Sequence, residues 1–218
     1  MRSLILLFLL LPSPLHSQEQ APEFLYVYRD SLKQGVDSIY RVIENDGAQI
    51  CADFRCPHPY IGLESLSGPH EAWWLNTFAT AADTIRVARA YATDRALATA
   101  LAGVAQRKAA LIGAPIQGFA IYRRDLSRGP TWSVAGARFI EVTVTRDPRP
   151  VKGSVWMMAD STLYILRPIR TLPGAQALDG GTRTRVFAIR PNWSMPTPAW
   201  VATDPTFWRS APVAKSSP

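Results

Sequence analysis

The chain has 218 residues, with 24 Lys/Arg against 17 Asp/Glu for a formal charge of +7, and it is 47% hydrophobic and 10% aromatic. That length suffices for one large domain or two small ones; the apolar and aromatic content excludes a disordered segment, and 18 prolines argue against a helical bundle. The excess charge is local, since residues 121–190 hold twelve Lys/Arg against five Asp/Glu while residues 1–120 hold ten against eleven.

Residues 1–17 carry Arg2, an uncharged apolar run Leu4–Leu11, then Pro12 and Pro14 ahead of Ser17 and Gln18. This is the grammar of a secretory signal peptide, too short to span a bilayer, so the expected product is exported to a periplasm or the extracellular space with no transmembrane segment after processing. Phe24–Tyr28 is a strand with bulk at both parities, hence buried on both faces. Val36, Ile39, Tyr40, Ile43, Gly47, Ile50, Cys51 and Phe54 then form a helical stripe, in which Gly47 suggests a close crossing with the sheet. Pro57 and Pro59 forbid the helix past Arg55. Tyr60–Leu66 and Ala72–Phe78 read as strands of a hairpin about Ser67-Gly68-Pro69. Thr80 with Asp83 starts a helix, a second start is expected at Thr93, Gly113 and Pro115 end it, and Ile116–Tyr122 is a fourth strand.

The order β-α-β-β-α-β is the split βαβ, or ferredoxin-like, arrangement. A sheet greasy on both faces needs helices over one surface and more sheet over the other. On element order and strand burial, residues 24–123 resemble the dimeric α+β barrel superfamily, with the NIPSNAP-like proteins of tandem halves as the nearest comparison. The resemblance implies a cavity between sheet and helices, used in some members for oxygenase chemistry, haem degradation or small-ligand binding. No catalytic motif of those families matches this chain residue by residue.

The second half is strand-rich. Arg138–Arg146 alternates Ile140, Val142 and Val144 against Glu141, Thr143 and Thr145; Ser154–Met158 and Thr162–Leu166 flank Ala159-Asp160-Ser161; Thr171–Asp179 is a candidate helix ended by Gly180-Gly181; Thr184–Arg190 is a last strand. The expected fold class is therefore α+β, a ferredoxin-like half (18–126) with a strand-rich basic half (127–190) closing an α+β barrel-like core. In the alternative, the first half homodimerises and the second is an appendage. Residues 191–218, rich in proline with Trp193, Trp200, Phe207 and Trp208, form a C-terminal tail that either packs on its own domain or docks a partner.

Reactive side chains concentrate between Cys51 and Phe78. Cys51 and Cys56 are most simply a disulfide in an oxidising compartment. A zinc set would add His58 and perhaps His70, but one residue between Cys56 and His58 fits no standard pattern, so no metal is expected. His58 and His70 flank the hairpin; either is a candidate general base with Tyr28, Glu64 or Asn76 as neighbours, or a loop histidine capping backbone groups. Trp73 and Trp74 project to opposite faces: one belongs in the core, and the other either joins it or walls a cavity for flat ligands. His58, His70, Tyr28, Trp73, Trp74 and Asn76 are the candidate ligand-binding residues. His70-Glu71 is not a zinc-protease motif, because Trp74 stands where the second histidine belongs. With no G-x-S-x-G elbow, P-loop or G-x-G-x-x-G run, no catalytic residue or cofactor is assigned.

An exported protein is not expected to meet nucleic acid, so the basic half points to an anionic envelope surface or small anionic ligand; solvent-facing arginines that discourage strand-edge pairing are the plainer account. Three functions follow as expectations. The first is a non-catalytic exported protein binding a small apolar or anionic ligand or an envelope component, possible as a homodimer. The second is a cofactor-independent or haem-linked oxygenase or isomerase. The third is an interaction protein acting through its tail. Polar side chains converging in an enclosed cavity favour the second; an open basic surface over a dry core favours the first or third.

Overall fold

Alternation along the first strand sets the architecture. In β1 (Phe24–Ser31), Leu25 and Val27 are fully buried on one face, while Tyr26, Tyr28 and Asp30 lie on the other. The first set points into a closed barrel and the second toward a layer of helices. In the computed structural model, residues 22–129, 132–172 and 184–213 are described. The expected leader and nearly all of the expected Thr171–Asp179 helix, with its Gly180-Gly181 stop, lie outside them.

After β1 come α1 (Asp37–Asp53), β2 (Tyr60–Ser65), β3 (Glu71–Phe78), α2 (Ala81–Thr93), α3 (Arg95–Lys108) and β4 (Ile116–Tyr122). The second half contributes β5 (Ser127–Arg128), β6 (Phe139–Thr145), β7 (Val151–Lys152), β8 (Ser154–Met158), β9 (Leu163–Ile169) and β10 (Thr184–Met195), followed by α4 (Pro198–Thr203) and a 3-10 turn at Phe207–Ser210. Around the barrel the order is β1-β3-β2-β10-β6-β9-β8-β4, every neighbouring pair antiparallel. Reading each half alone gives β4-β1-β3-β2 and β10-β6-β9-β8, the same order in the same sequence of strands, joined at two equivalent seams, β2 with β10 and β4 with β8. The second half is thus a ferredoxin-like sheet that has lost its first helix, with the short β7 in its place. Because the barrel closes within one chain, the appendage alternative is overturned.

Inward residues fill the barrel. Trp73, Trp156, Phe187, Leu63, Ile140 and Leu166 are all fully buried, each contributing about 1.5–3 kcal/mol relative to exposure. Trp132, Trp208, Trp200 and Phe207 pack onto the same core, so the C-terminal segment is part of the fold. No helix among the described residues is long and apolar enough to cross a membrane.

Several local expectations are corrected. Ile39 and Phe54 are 54% and 39% exposed; the buried face of α1 is Tyr40, Ile43, Glu44, Gly47, Ala48, Cys51 and Ala52, a stripe admitting a carboxylate because Lys108 meets it there. Gly47 crosses α3 rather than the sheet, since a Cβ there would lie 3.3 Å from Val104 Cγ1. The second helix start is capped by Asp94, not Thr93. Strand β10 runs past Pro191 to Met195, shifting register after Arg190; the irregularity accommodates proline's missing N–H and places Trp193 in the wall instead of a tail.

At Gly62 the wall is tightest: a Cβ would fall 2.6 Å from Trp193 Cβ and 2.7 Å from its carbonyl oxygen. Gly62→Ala is expected to lose about 3 kcal/mol, read as a lowered denaturant midpoint. The Cys51–Cys56 disulfide ties the end of α1 to the following turn, where Cys56 N–H donates to Cys51 O at 2.8 Å. Cys51→Ala/Cys56→Ala is expected to cost about 2 kcal/mol by loop-closure entropy, and thiol labelling of the parent should find no free cysteine without reductant.

Candidate functional site

Between the outer face of the first-half sheet and the three helices lies a cavity of about 530 Å³, within the range of small-molecule sites. Tyr26, Tyr28, Trp74, Asn76, Phe78 and Phe119 form its floor from β1, β3 and β4. Ala48, Cys51, Val87, Ala88, Leu101 and Val104 supply an apolar roof. Phe119 is a wall residue and also 46% exposed, so the cavity opens beside it.

The inner part of the wall is polar. Lys108, in the last turn of α3, places Nζ 2.8 Å from Asp30 Oδ2 and 3.1 Å from Glu44 Oε1. Tyr40 donates its hydroxyl to the same Asp30 oxygen at 2.7 Å, and the Lys108 ammonium sits 4.6 Å from the Trp74 ring centroid and 5.0 Å from that of Tyr28, within cation–π range. Asp30 and Tyr40 are fully buried, Glu44 and Lys108 nearly so. Glu44, Lys108 and Tyr28 face the cavity, with Asp30 and Tyr40 behind them.

Burial pushes the Glu44 carboxyl above its ordinary value, with the Lys108 ammonium opposing. For Lys108, burial works against the charge, but Glu44 and Asp30 outweigh it and hold the ammonium above its usual range. Tyr28 is pushed up to about 12, first by burial, with Lys108 opposing and Asp30 and Glu44 adding. A carboxyl with a raised pKa, an ammonium and a phenol thus meet at one wall, the kinds of group used in general acid–base catalysis.

Of the sequence candidates, Tyr28, Trp74 and Asn76 meet in this cavity; the others lie elsewhere. Trp74 is a wall residue, not core. Trp73 is inside the barrel, donating Nε1–H to Glu71 Oε2 at 2.6 Å. His58 stacks on Phe78 at 4.2 Å and bonds Thr77 O through Nε2 at 2.8 Å, lining a separate cleft of about 380 Å³ with Trp132 and Trp200. Burial lowers its ring pKa, opposed by the Thr77 bond and aided by Arg86. His70 Nδ1 lies 2.8 Å from Asp37 Oδ1, and Glu64 is held by Arg41 and Arg190. Asp30, Glu44 and Lys108 escaped the sequence reading and Tyr40 entered it only as part of the apolar stripe, although a glutamate inside that stripe of α1 was a visible signal.

Haem, one implication of the resemblance, does not fit this cavity. Both histidines among the described residues, His58 and His70, lie outside it, Cys51 is disulfide-bonded, Lys108 is held protonated by two carboxylates, and burial raises the pKa of the wall tyrosines Tyr26, Tyr28, Tyr60 and Tyr91, away from the phenolate that would bind iron.

No family model matches the chain, and no curated protein matches it. Solved structures similar along most of its length include a Fusobacterium nucleatum protein provisionally named a monooxygenase, 7% identical over 82% of this chain and 94% of that one with a TM-score of 0.47. A Lactobacillus acidophilus protein with the same provisional name is 9% identical over 77% and 93%, TM-score 0.39. A protein provisionally named chlorite dismutase is 10% identical over 78% and 96%, TM-score 0.41. The likeness is one of chain course alone. Strand order, closure and helical cover together make the architecture a ferredoxin-like α+β barrel with both halves in one chain.

Proposed function

We propose that the chain holds a flat, largely apolar small molecule in this cavity and acts on it by proton transfer, as an isomerase or oxygenase needing no cofactor. The observation that supports this is the convergence of Glu44, Lys108 and Tyr28 at the polar wall of an aromatic cavity. As the carboxylate, Glu44 takes a proton from a carbon or phenol conjugated to a carbonyl, and the Lys108 ammonium and Tyr28 hydroxyl stabilise the resulting oxyanion. Isomerisation returns that proton to another atom. In oxygenation the anion supplies electrons to dioxygen, one oxygen entering the product and the other leaving as water.

A second reading, binding without turnover, is favoured by the way Lys108 is already engaged by Glu44 and, together with Tyr40, by Asp30 Oδ2. The test is exchange of the α-protons of 2-tetralone for solvent deuterium, followed by NMR. Turnover predicts exchange that falls about 10²–10⁴-fold in Glu44→Gln and rises with pH through the raised Glu44 pKa. Binding with no exchange selects the second reading; neither binding nor exchange removes both.

Export through residues 1–17 belongs to the same proposal and is supported by the Cys51–Cys56 disulfide. Two barrel halves in one chain support the narrower NIPSNAP-like comparison, and the division between halves at 126–127 is proposed with it.

A further inference from the structure

The helices leave the outer face of β4 uncovered. Phe119 and Ile121 are 46% and 51% exposed there. Ile121 pairs across the sheet with Phe24 on one side and Met157 on the other, so an apolar band crosses three strands beside the cavity opening at Phe119. Exposed apolar surface of this kind marks an interaction site.

What borders the band identifies the partner. Met157 packs with Leu126 and Val151, which anchor the β5–β7 unit, and that unit carries exposed Arg124, Arg128 and Lys152. Among the described residues Arg128 bonds the backbone carbonyls of Asp125 and Ser127, while the neighbouring Asp125 and Asp147 side chains are matched by Arg123 and Arg149. The rim is therefore net cationic. A second copy related by a two-fold axis would bring two cationic rims together, whereas an anionic lipid surface satisfies both features at once, accepting apolar side chains at the acyl boundary and basic ones among the headgroups.

We infer that this face docks on an anionic lipid surface, with the cavity opening turned toward the bilayer. Docking stands on the band and its rim. That lipid is also the route by which an apolar substrate enters rests on the function proposed above.

Co-sedimentation with vesicles tests it, using the chain from Gln18, which keeps every described element and removes the apolar run Leu4–Leu11. The chain should bind vesicles of phosphatidylcholine mixed with phosphatidylglycerol and not phosphatidylcholine alone, with binding weakened by salt. Ile121→Asn and the triple change Arg124→Glu/Arg128→Glu/Lys152→Glu should each weaken it at least tenfold, with unchanged thermal melts. No binding to either vesicle, equal binding to both, or binding indifferent to both variants overturns the proposal. So does a dimer in solution that Ile121→Asn dissolves without any vesicle binding. Because Ile121 is outside the cavity wall, Ile121→Asn should exchange 2-tetralone protons like the parent, so failure of docking and failure of the proposed function are read separately.

Discussion

Replacing Glu71 by glutamine is expected to destabilise the protein by about 3–5 kcal/mol, the cost of leaving buried charge unpaired. Glu71 is 7% exposed at one end of the barrel interior, where both its oxygens accept from Arg29 Nη2 at 3.1 Å and Oε2 accepts from Arg185 Nη1 at 2.8 Å. The two arginine side chains are only 15% and 13% exposed. Glutamine keeps the shape but removes the charge that both arginines face. For a chain of this size the loss corresponds to a melting temperature lower by roughly 10 °C. Burial pushes the Glu71 carboxyl up, but hydrogen bonds from Trp73 and Arg185 and the charges of Arg29 and Arg185 outweigh it, so its pKa is lowered. A lowered folded value means stability that is present above the unfolded carboxyl pKa and lost as pH falls through the folded one. Denaturant midpoints of the parent should therefore drop on the acid side of about pH 4.3, with a shallower drop in Glu71→Gln. Equal acid slopes in the two proteins would mean that the ion cluster does not carry this contribution.

Lys108→Met is the second large effect, expected to cost about 3–5 kcal/mol and to abolish proton exchange. It leaves Asp30, fully buried, and Glu44, nearly so, as two carboxylates with no cation between them. The sign of its pH dependence follows from the direction of each shift. In the parent, Lys108 has a raised folded pKa, so its contribution is complete below the unfolded lysine value and is lost as pH rises through the folded one. Without Lys108, the main opposition to the burial that raises Glu44 is gone, leaving only a weaker contribution from Tyr40; the Glu44 stability contribution is present below its unfolded pKa and lost as pH rises through the folded value. The variant should accordingly be weakened more at about pH 8 than at about pH 5. Adding Glu44→Gln should recover part of the loss, giving a coupling of about 0.5–3 kcal/mol in a double-mutant cycle. Strict additivity would show that Lys108 and Glu44 do not interact as their 3.1 Å separation requires.

Where local chemistry decides structure, the sequence was legible. Strand β4 occupies Ile116–Tyr122 as expected, directly after Pro115, although the preceding helix ends at Lys108, earlier than the Gly113 and Pro115 stop expected from the sequence. Thr80 caps α2 through Asp83 N–H at 3.2 Å. The reverse side of the first sheet is covered by sheet, as its two-faced apolar strands require. Long-range pairings were not legible. Glu44 and Lys108 are 64 residues apart, and until α1 and α3 cross at Gly47 nothing local says that one will neutralise the other. Lys108 reads as an ordinary basic helix end. Tyr28, Trp74 and Asn76 line one cavity because strand alternation alone fixes which face a side chain takes. His58 and His70 lie outside that cavity for the converse reason: their placement depends on loops whose partners, Thr77 for His58 and Asp37 for His70, no pattern announces.

A ¹³C NMR titration of the Glu44 side-chain carboxyl, with and without 2-tetralone, measures directly whether Glu44 exchanges its proton inside an occupied cavity. A midpoint above the ordinary glutamate range that moves when the ketone binds is the predicted result. A midpoint in the ordinary range, unchanged by ketone at saturating concentration, would contradict it.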